Sequence, residues 1–219
     1  MGLRGDNRAV TPEATVLSRD NAVTVGVALL DARGPQALTM RALAREMGVP
    51  VMSLYRHVES REDLERAIVA RLVADLDIPP DGRSSWEGFL RAWGKAFRKM
   101  LRSHPNAAQL LASFPVSGYG ARAEDVEWVL ATLGEAGLPP QAARVQLRAA
   151  IVAVTGFCTA QGIADNTAGA DPGAAPPAGD FPLLAPLMDD LRERRDGDAV
   201  FEAMLDGVVA GVHSAIAGR

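Results

Sequence analysis

Residues 38–64 read LTMRALAREMGVPVMSLYRHVESREDL, and this stretch decides the fold. It describes two short helices joined by a tight turn, followed by the start of a third. Thr39 can cap the first helix, and Met40, Leu43, Ala44 and Met47 make one apolar stripe. Gly48 supplies the turn, because a residue without Cβ takes positive φ at little cost. Pro50 opens the next helix, where its missing N–H is not needed. Leu54 and Val58 face inward, leaving Val51, Ser53, Tyr55, Arg56 and His57 to face outward or lie at the flanks. That is the layout of a helix-turn-helix whose second helix enters a DNA major groove.

The rest of the chain bounds this reading. A length of 219 residues holds one or two domains with a substantial core. Apolar residues at 48% and charged residues at 23% give an ordinary soluble composition. The N-terminus is polar and holds no apolar signal region, and no uninterrupted apolar run reaches transmembrane length. Cys158 is the only cysteine, which excludes an intrachain disulfide and points to a reducing cytoplasm. The net charge of −4 is not that of a DNA binder as a whole. Between Arg33 and Arg61, however, five arginines face two glutamates, and Arg4 and Arg8 add positive charge in an N-terminal arm that Asp6 partly offsets. The basic footprint is local, so phosphate contacts would supply affinity with a strong salt dependence. No nucleophile–base pair, metal-ligand spacing among the three histidines or phosphate loop is visible, which argues against an enzyme and against a metal or cofactor.

The pattern predicts an all-α chain. Residues 1–17 form a flexible arm, 18–77 a four-helix DNA-binding unit, and 84–219 a second helical domain with a flexible loop at about 166–180. In the first unit, Ser18 starts a helix that Gly34 ends. Ser60 caps the fourth helix, whose stripe is Leu64, Ile68, Leu72 and Leu76. Ser84-Ser85-Trp86-Glu87 has capping-box spacing and opens a helix through Leu90, Trp93, Phe97, Met100 and Leu101. Helices follow at 107–112, 122–136 and 141–163, a short one at 181–195, and a last one near 198–216 carrying Phe201, Leu205, Val208, Val212 and Ile216 on one face.

The string LTMRALAREMGV…SLYRHVESREDL resembles the DNA-binding domain of the tetracycline-repressor (TetR) family. The shared marks are Leu38-Thr39, Arg41, Leu43-Ala44, Gly48-Val49, Leu54-Tyr55 and His57-Val58 at fixed spacing. The segments SSWEGFLRAWGKAFRKMLRSH, FPLLAPL and FEAMLDGVVAGV are similar to the ligand-binding domain of the same family. The resemblance implies a homodimer, with the helices near 141–163 and 198–216 pairing with their copies, that presents two recognition helices to near-palindromic operator DNA. It implies DNA contacts from Thr39, Arg41, Val51, Ser53, Tyr55, Arg56, His57 and Arg61. Val51 can offer only apolar contact, and Tyr55 and His57 phosphate contact; His57 also reads as a partly buried packing residue.

The departures are equally informative. Where the tetracycline repressors have a histidine and a glutamate for a magnesium–drug complex and an asparagine for the drug, this chain has Leu111, Ala164 and Trp93; Asp77 stands where a further drug-contacting histidine would be. Leucine and alanine offer no oxygen to a hard cation. The expectation is a metal-free, largely apolar effector in a pocket lined by Trp93, Phe97, Leu111, Val126, Val129 and Phe157, with Gln161 as a polar handle. Trp86 and Trp128 read as core, Cys158 as an inert buried thiol, and His104 and His213 as packing or capping residues. The function expected is a small-molecule-responsive repressor that releases its operator on binding ligand. The alternative is a constitutive or protein-partner-controlled DNA-binding regulator.

Overall fold

The computed structural model describes residues 17–113, 122–166, 181–193 and 197–218. Among these, ten α-helices and two short 3-10 turns account for the regular structure, with no strand. The N-terminal arm apart from Leu17, residues 114–121 and nearly all of the expected loop at about 166–180 lie outside the described residues. The chain divides into two compact units, one ending at Ile68 and one beginning at Val69. The division falls inside a single helix, α4.

In the first unit, α1 runs Arg19–Arg33, α2 Met40–Met47, α3 Val51–Leu54 and α4 Arg61–Ala74. Each start is chemically marked. Ser18 Oγ accepts from the Asn21 N–H, Thr39 Oγ1 from Ala42 and Ser60 Oγ from Asp63, each satisfying a donor with no intrahelical partner. Gly48 closes α2 at φ 67°, and its N–H bonds back to the α2 carbonyls. Leu30, Leu38, Leu43, Leu54, Val58, Leu64 and Ile68 form a core almost free of solvent. Pro50 caps α3 from just outside it, and α3 itself is only four residues long before it tightens into the turn Tyr55–His57.

In the second unit, α5 (Trp86–Ser103), α6 (Ala107–Ala112), α7 (Ala123–Glu135), α8 (Pro140–Asn166) and α10 (Gly197–Ala217) form a bundle centred on α8, which packs on the other four; α9 is Leu184–Glu193. Close approach is set by small residues. Ala108 faces Gly162, and Leu205 sits against Gly94. The α5 start differs from the capping-box expectation. Ser85, not Ser84, caps by accepting from Gly88, so Glu87 is one residue early and pairs instead with His213 at 3.4 Å. On α10 the buried face is Phe201, Leu205, Val209 and Val212, with Val208 and Ile216 half-buried at its edge. By length and composition α8 and α10 could each cross a membrane, although no single apolar run suggests it. In this bundle each buries one face and leaves the other exposed.

The buried Arg98 ties the bundle together. Its guanidinium donates to Gln161 Oε1 (2.8 Å) and the Gly197 carbonyl (2.9 Å), pairs with Asp198 (2.8 Å) and lies 4.6 Å from the centre of the Phe201 ring. Every nitrogen is used, which makes a buried cation tolerable.

Two glycines make opposite predictions. A Cβ at Gly82 would stand 2.6 Å from Ala92 Cβ, a rigid neighbour, whereas one at Gly134 meets nothing. Gly82→Ala is expected to cost about 1–3 kcal/mol through overpacking. Gly134→Ala should gain up to about 1 kcal/mol from helix propensity. Thermal melts of the two variants check the signs.

Candidate nucleic-acid interface and ligand cavity

The recognition helix cannot hold itself. Four residues are far below the length at which an isolated helix persists, and its N-terminus has no side-chain cap. It is held from below by Leu54 and Val58, both essentially fully buried. It is held from behind by a knot around Asp63. Arg19 of α1 makes a two-point bridge to Asp63 (2.7 and 2.8 Å) and donates to the His57 carbonyl at the end of the recognition segment (3.0 Å). The same carboxylate accepts from the Glu59 N–H at 3.0 Å. Hydrogen bonding from Arg19, aided by the Glu59 amide, holds the Asp63 carboxyl down to about 2, against the opposing effect of its partial burial.

Outward from this support, Arg41, Tyr55 and Arg56 are exposed, and Val51, Ser53 and His57 are half-buried. The Arg41 and Arg56 side chains make no ion pair or hydrogen bond among the described residues, so their donors are available. Thr39 is exposed while its oxygen caps α2. Arg61 is already engaged, bonding Glu65 (2.7 Å) and the Pro35 carbonyl (3.1 Å). One residue escaped the sequence reading. Met52 is 77% exposed on the recognition helix, the most exposed large apolar side chain among the described residues of the first unit. Its signal was available: on a helix whose Leu54 and Val58 face inward, position 52 must face out.

The second unit holds an apolar cavity. Its free space, counted as the volume open to water centres, is about 90 Å³, several times what one water requires. Trp86, Phe89, Trp93 and Phe97 from α5 form one wall, with the Trp93 and Phe97 ring centres 5.6 Å apart. Val126, Val129 and Leu133 of α7 and Leu147, Ala150 and Ile151 of α8 form others, and Val73, Leu76 and Ile78 from the end of α4 and the segment after it close it. Of the residues expected at the pocket, Trp93, Phe97, Val126 and Val129 line this cavity; Trp86, expected as core, lines it too.

Leu111, Phe157 and Gln161 lie elsewhere. Leu111 is buried in α6, Phe157 stacks near Phe201 at 5.6 Å, and Gln161 is bound to Arg98 beside a separate cavity of about 130 Å³ that Cys158 also lines. Burial pushes the Cys158 thiol up to about 12, so it stays protonated and unreactive. Among the described residues, three polar side chains reach the aromatic-walled cavity: Arg122, Asp125 and Gln146. Among the described residues no group of three histidine, cysteine or acidic side chains is arranged to hold a metal ion.

Comparison with known proteins bears directly on these two sites. Residues 23–68 match the family model of bacterial regulatory proteins of the tetR family, and residues 78–216 match the tetracyclin repressor-like C-terminal domain. This chain belongs to the TetR family of transcriptional regulators. Members of the family bind operator DNA, act as dimers and bind small-molecule effectors.

Among solved structures, apo ActR from Streptomyces coelicolor aligns with a TM-score of 0.72 at 26% identity, covering 96% of this chain and 99% of that one. ActR has also been solved with (S)-DNPA (TM-score 0.70, 26% identity, 93% of this chain and 98% of that one). An HTH-type transcriptional regulator of Saccharopolyspora erythraea is 32% identical over 65% of this chain and 58% of its own length. The class A tetracycline repressor of transposon 1721 in Escherichia coli is 26% identical over 90% of this chain and 91% of its own. The matches to the first curated relatives span between half and three-fifths of their length.

The Asp63 knot gives this TetR-family regulator a specific acid response. A carboxyl whose folded value lies below its ordinary one stabilises fully above the ordinary value and loses that contribution as pH falls towards 2. Asp63→Asn should therefore cost about 1 kcal/mol at neutral pH, a surface-bridge magnitude since Arg19 is half exposed. The gap to wild type should stay flat above about pH 5 and close towards pH 2. Denaturant titrations across that range read it.

Proposed function

We propose that this chain is a ligand-responsive repressor that binds operator DNA as a homodimer and releases it when a small, largely apolar molecule enters the second-unit cavity. The observation that carries this reading is the course of α4. Val73 near its C-terminal end lines the cavity, while Asp63 near its start holds the recognition helix through Arg19. A ligand that displaces the far end of this one continuous helix acts on the element that orients the DNA-reading residues. Coupling needs only differential affinity of the ligand for the two states, about 1–3 kcal/mol.

Thr39, Arg41, Tyr55, Arg56 and His57 are proposed as phosphate-facing, with Arg61 beside them. Val51, Met52 and Ser53 are proposed to read bases, with Met52 offering apolar contact to a thymine methyl. Homodimerisation is supported by the outward faces of α8 and α10, where Val145, Val152 and Val200 are more than half exposed and Ala149, Gly156, Ala203 and Gly207 leave room for close helix approach. We place such faces against a second copy in the cytoplasm rather than in lipid. The effector is proposed to bind without metal: the carboxylate at the cavity, Asp125, is bridged to Arg83, and among the described residues no three histidine, cysteine or acidic side chains cluster to hold an ion; a magnesium–tetracycline chelate is not expected to bind.

Selection of fragments from sheared genomic DNA by the purified protein tests the reading. Enrichment of one near-palindromic motif with half-sites about one helical turn apart is expected; no enrichment would refute it. Arg41→Ala and Arg56→Ala should weaken all sequences alike and lower the salt slope by about 1 each. Met52→Ala should instead flatten preference at one base position. A compound that raises the melting temperature and lowers operator affinity supports the ligand-responsive form. Melting-active compounds that leave operator affinity untouched favour the constitutive alternative.

A further inference from the structure

The polar groups of the cavity differ in what they have left to offer. Asp125 is buried, and its Oδ1 lies 2.6 Å from Arg83 Nη2. Its charge is already answered. Arg122 is half exposed at the cavity wall, and among the described residues its Nε reaches only long contacts, 3.6 Å to Glu124 and 3.8 Å to Asp125. Glu124 is 80% exposed and screened by water. The cavity therefore presents an aromatic wall, a neutralised carboxylate and one guanidinium with donors to spare.

We propose that the effector is a flat aromatic molecule bearing a single carboxylate or similar anionic oxygen group, with its rings against Trp86, Phe89 and Trp93 and its anion on Arg122. This rests on the reading of the cavity as the effector site. A guanidinium offers a carboxylate two parallel hydrogen bonds, and these strengthen beside apolar walls. A cationic aromatic is disfavoured by the same geometry. Its natural partner would be Asp125, and it would have to displace Arg83 from a 2.6 Å bridge. Gln146 adds a neutral group that either end of a ligand can use.

The test uses the full chain and three probes of one shape: 2-naphthoate, 2-naphthamide and 2-naphthylmethylammonium. Binding is followed by calorimetry and by quenching of tryptophan fluorescence. Naphthoate should bind about tenfold or more tightly than either isostere, and Arg122→Gln should abolish that preference. Val126→Trp, which fills the cavity, should weaken all three; circular dichroism confirms that both variants are folded.

If the amide or the ammonium binds as tightly as naphthoate and Val126→Trp still blocks it, the cavity remains the ligand site and the anionic assignment falls. The assignment also falls if Arg122→Gln leaves the naphthoate preference intact. If no probe binds, or Val126→Trp binds as wild type does, the effector-site reading falls with it.

Discussion

A DNA-reading helix of four residues exists only because its surroundings specify it, and the carboxylate of Asp63 is where those surroundings converge. It accepts from Arg19 of α1 and from the Glu59 amide, while Arg19 reaches on to the His57 carbonyl. One ion pair thus ties α1 to the start of α4, 44 residues away, and through Arg19 to the end of the recognition segment. The bridge is partly exposed, so its worth is about 1 kcal/mol. Burial of Leu54 and Val58 supplies more, on the order of 2 kcal/mol for each side chain. The division of labour follows from chemistry. Apolar burial holds the segment down without fixing its rotation, and directional hydrogen bonds at its end set the rotation.

The second unit shows the converse economy. Its buried cation, Arg98, is satisfied on every nitrogen, whereas its apolar interior near Trp93 and Phe97 is left incompletely filled. Unfilled apolar space forfeits dispersion contacts and is ordinarily selected against. A ligand bound there, as proposed, would recover those contacts, and the deficit would become affinity. Val73 of α4 closes the cavity on one side, and it is through this helix that the proposed coupling would run.

The helix-turn-helix was legible in the sequence because its determinants are local. Ser18, Thr39, Gly48 and Ser60 each act within four residues, and the apolar stripes follow the 3.6-residue period. The knot was not legible, since Arg19 and Asp63 lie 44 residues apart and look like ordinary surface charges. Likewise Trp93, Phe97, Val126 and Val129 could be placed by the amphipathic phase of α5 and α7. Phe157 and Gln161 sit on α8, which packs against four helices, so periodicity does not say which neighbour each side chain meets. Gln161 turns to Arg98, a partner 63 residues away. Ser84 and Ser85 show a smaller version of the same limit: one residue of phase separates a capping box from a simple cap.

The dependence of DNA reading on the Asp63 knot is tested most directly by competition titration of operator against a scrambled duplex at neutral pH and fixed salt, comparing wild type with Asp63→Asn. With each of two heads losing about 1 kcal/mol of orientation, the preference for operator should drop about tenfold or more. Binding to the scrambled duplex, which needs only charge, should stay unchanged. An undiminished preference in a folded, dimeric variant would show that the recognition helix keeps its aim without the knot, and would contradict the coupling of ligand to operator drawn here through α4.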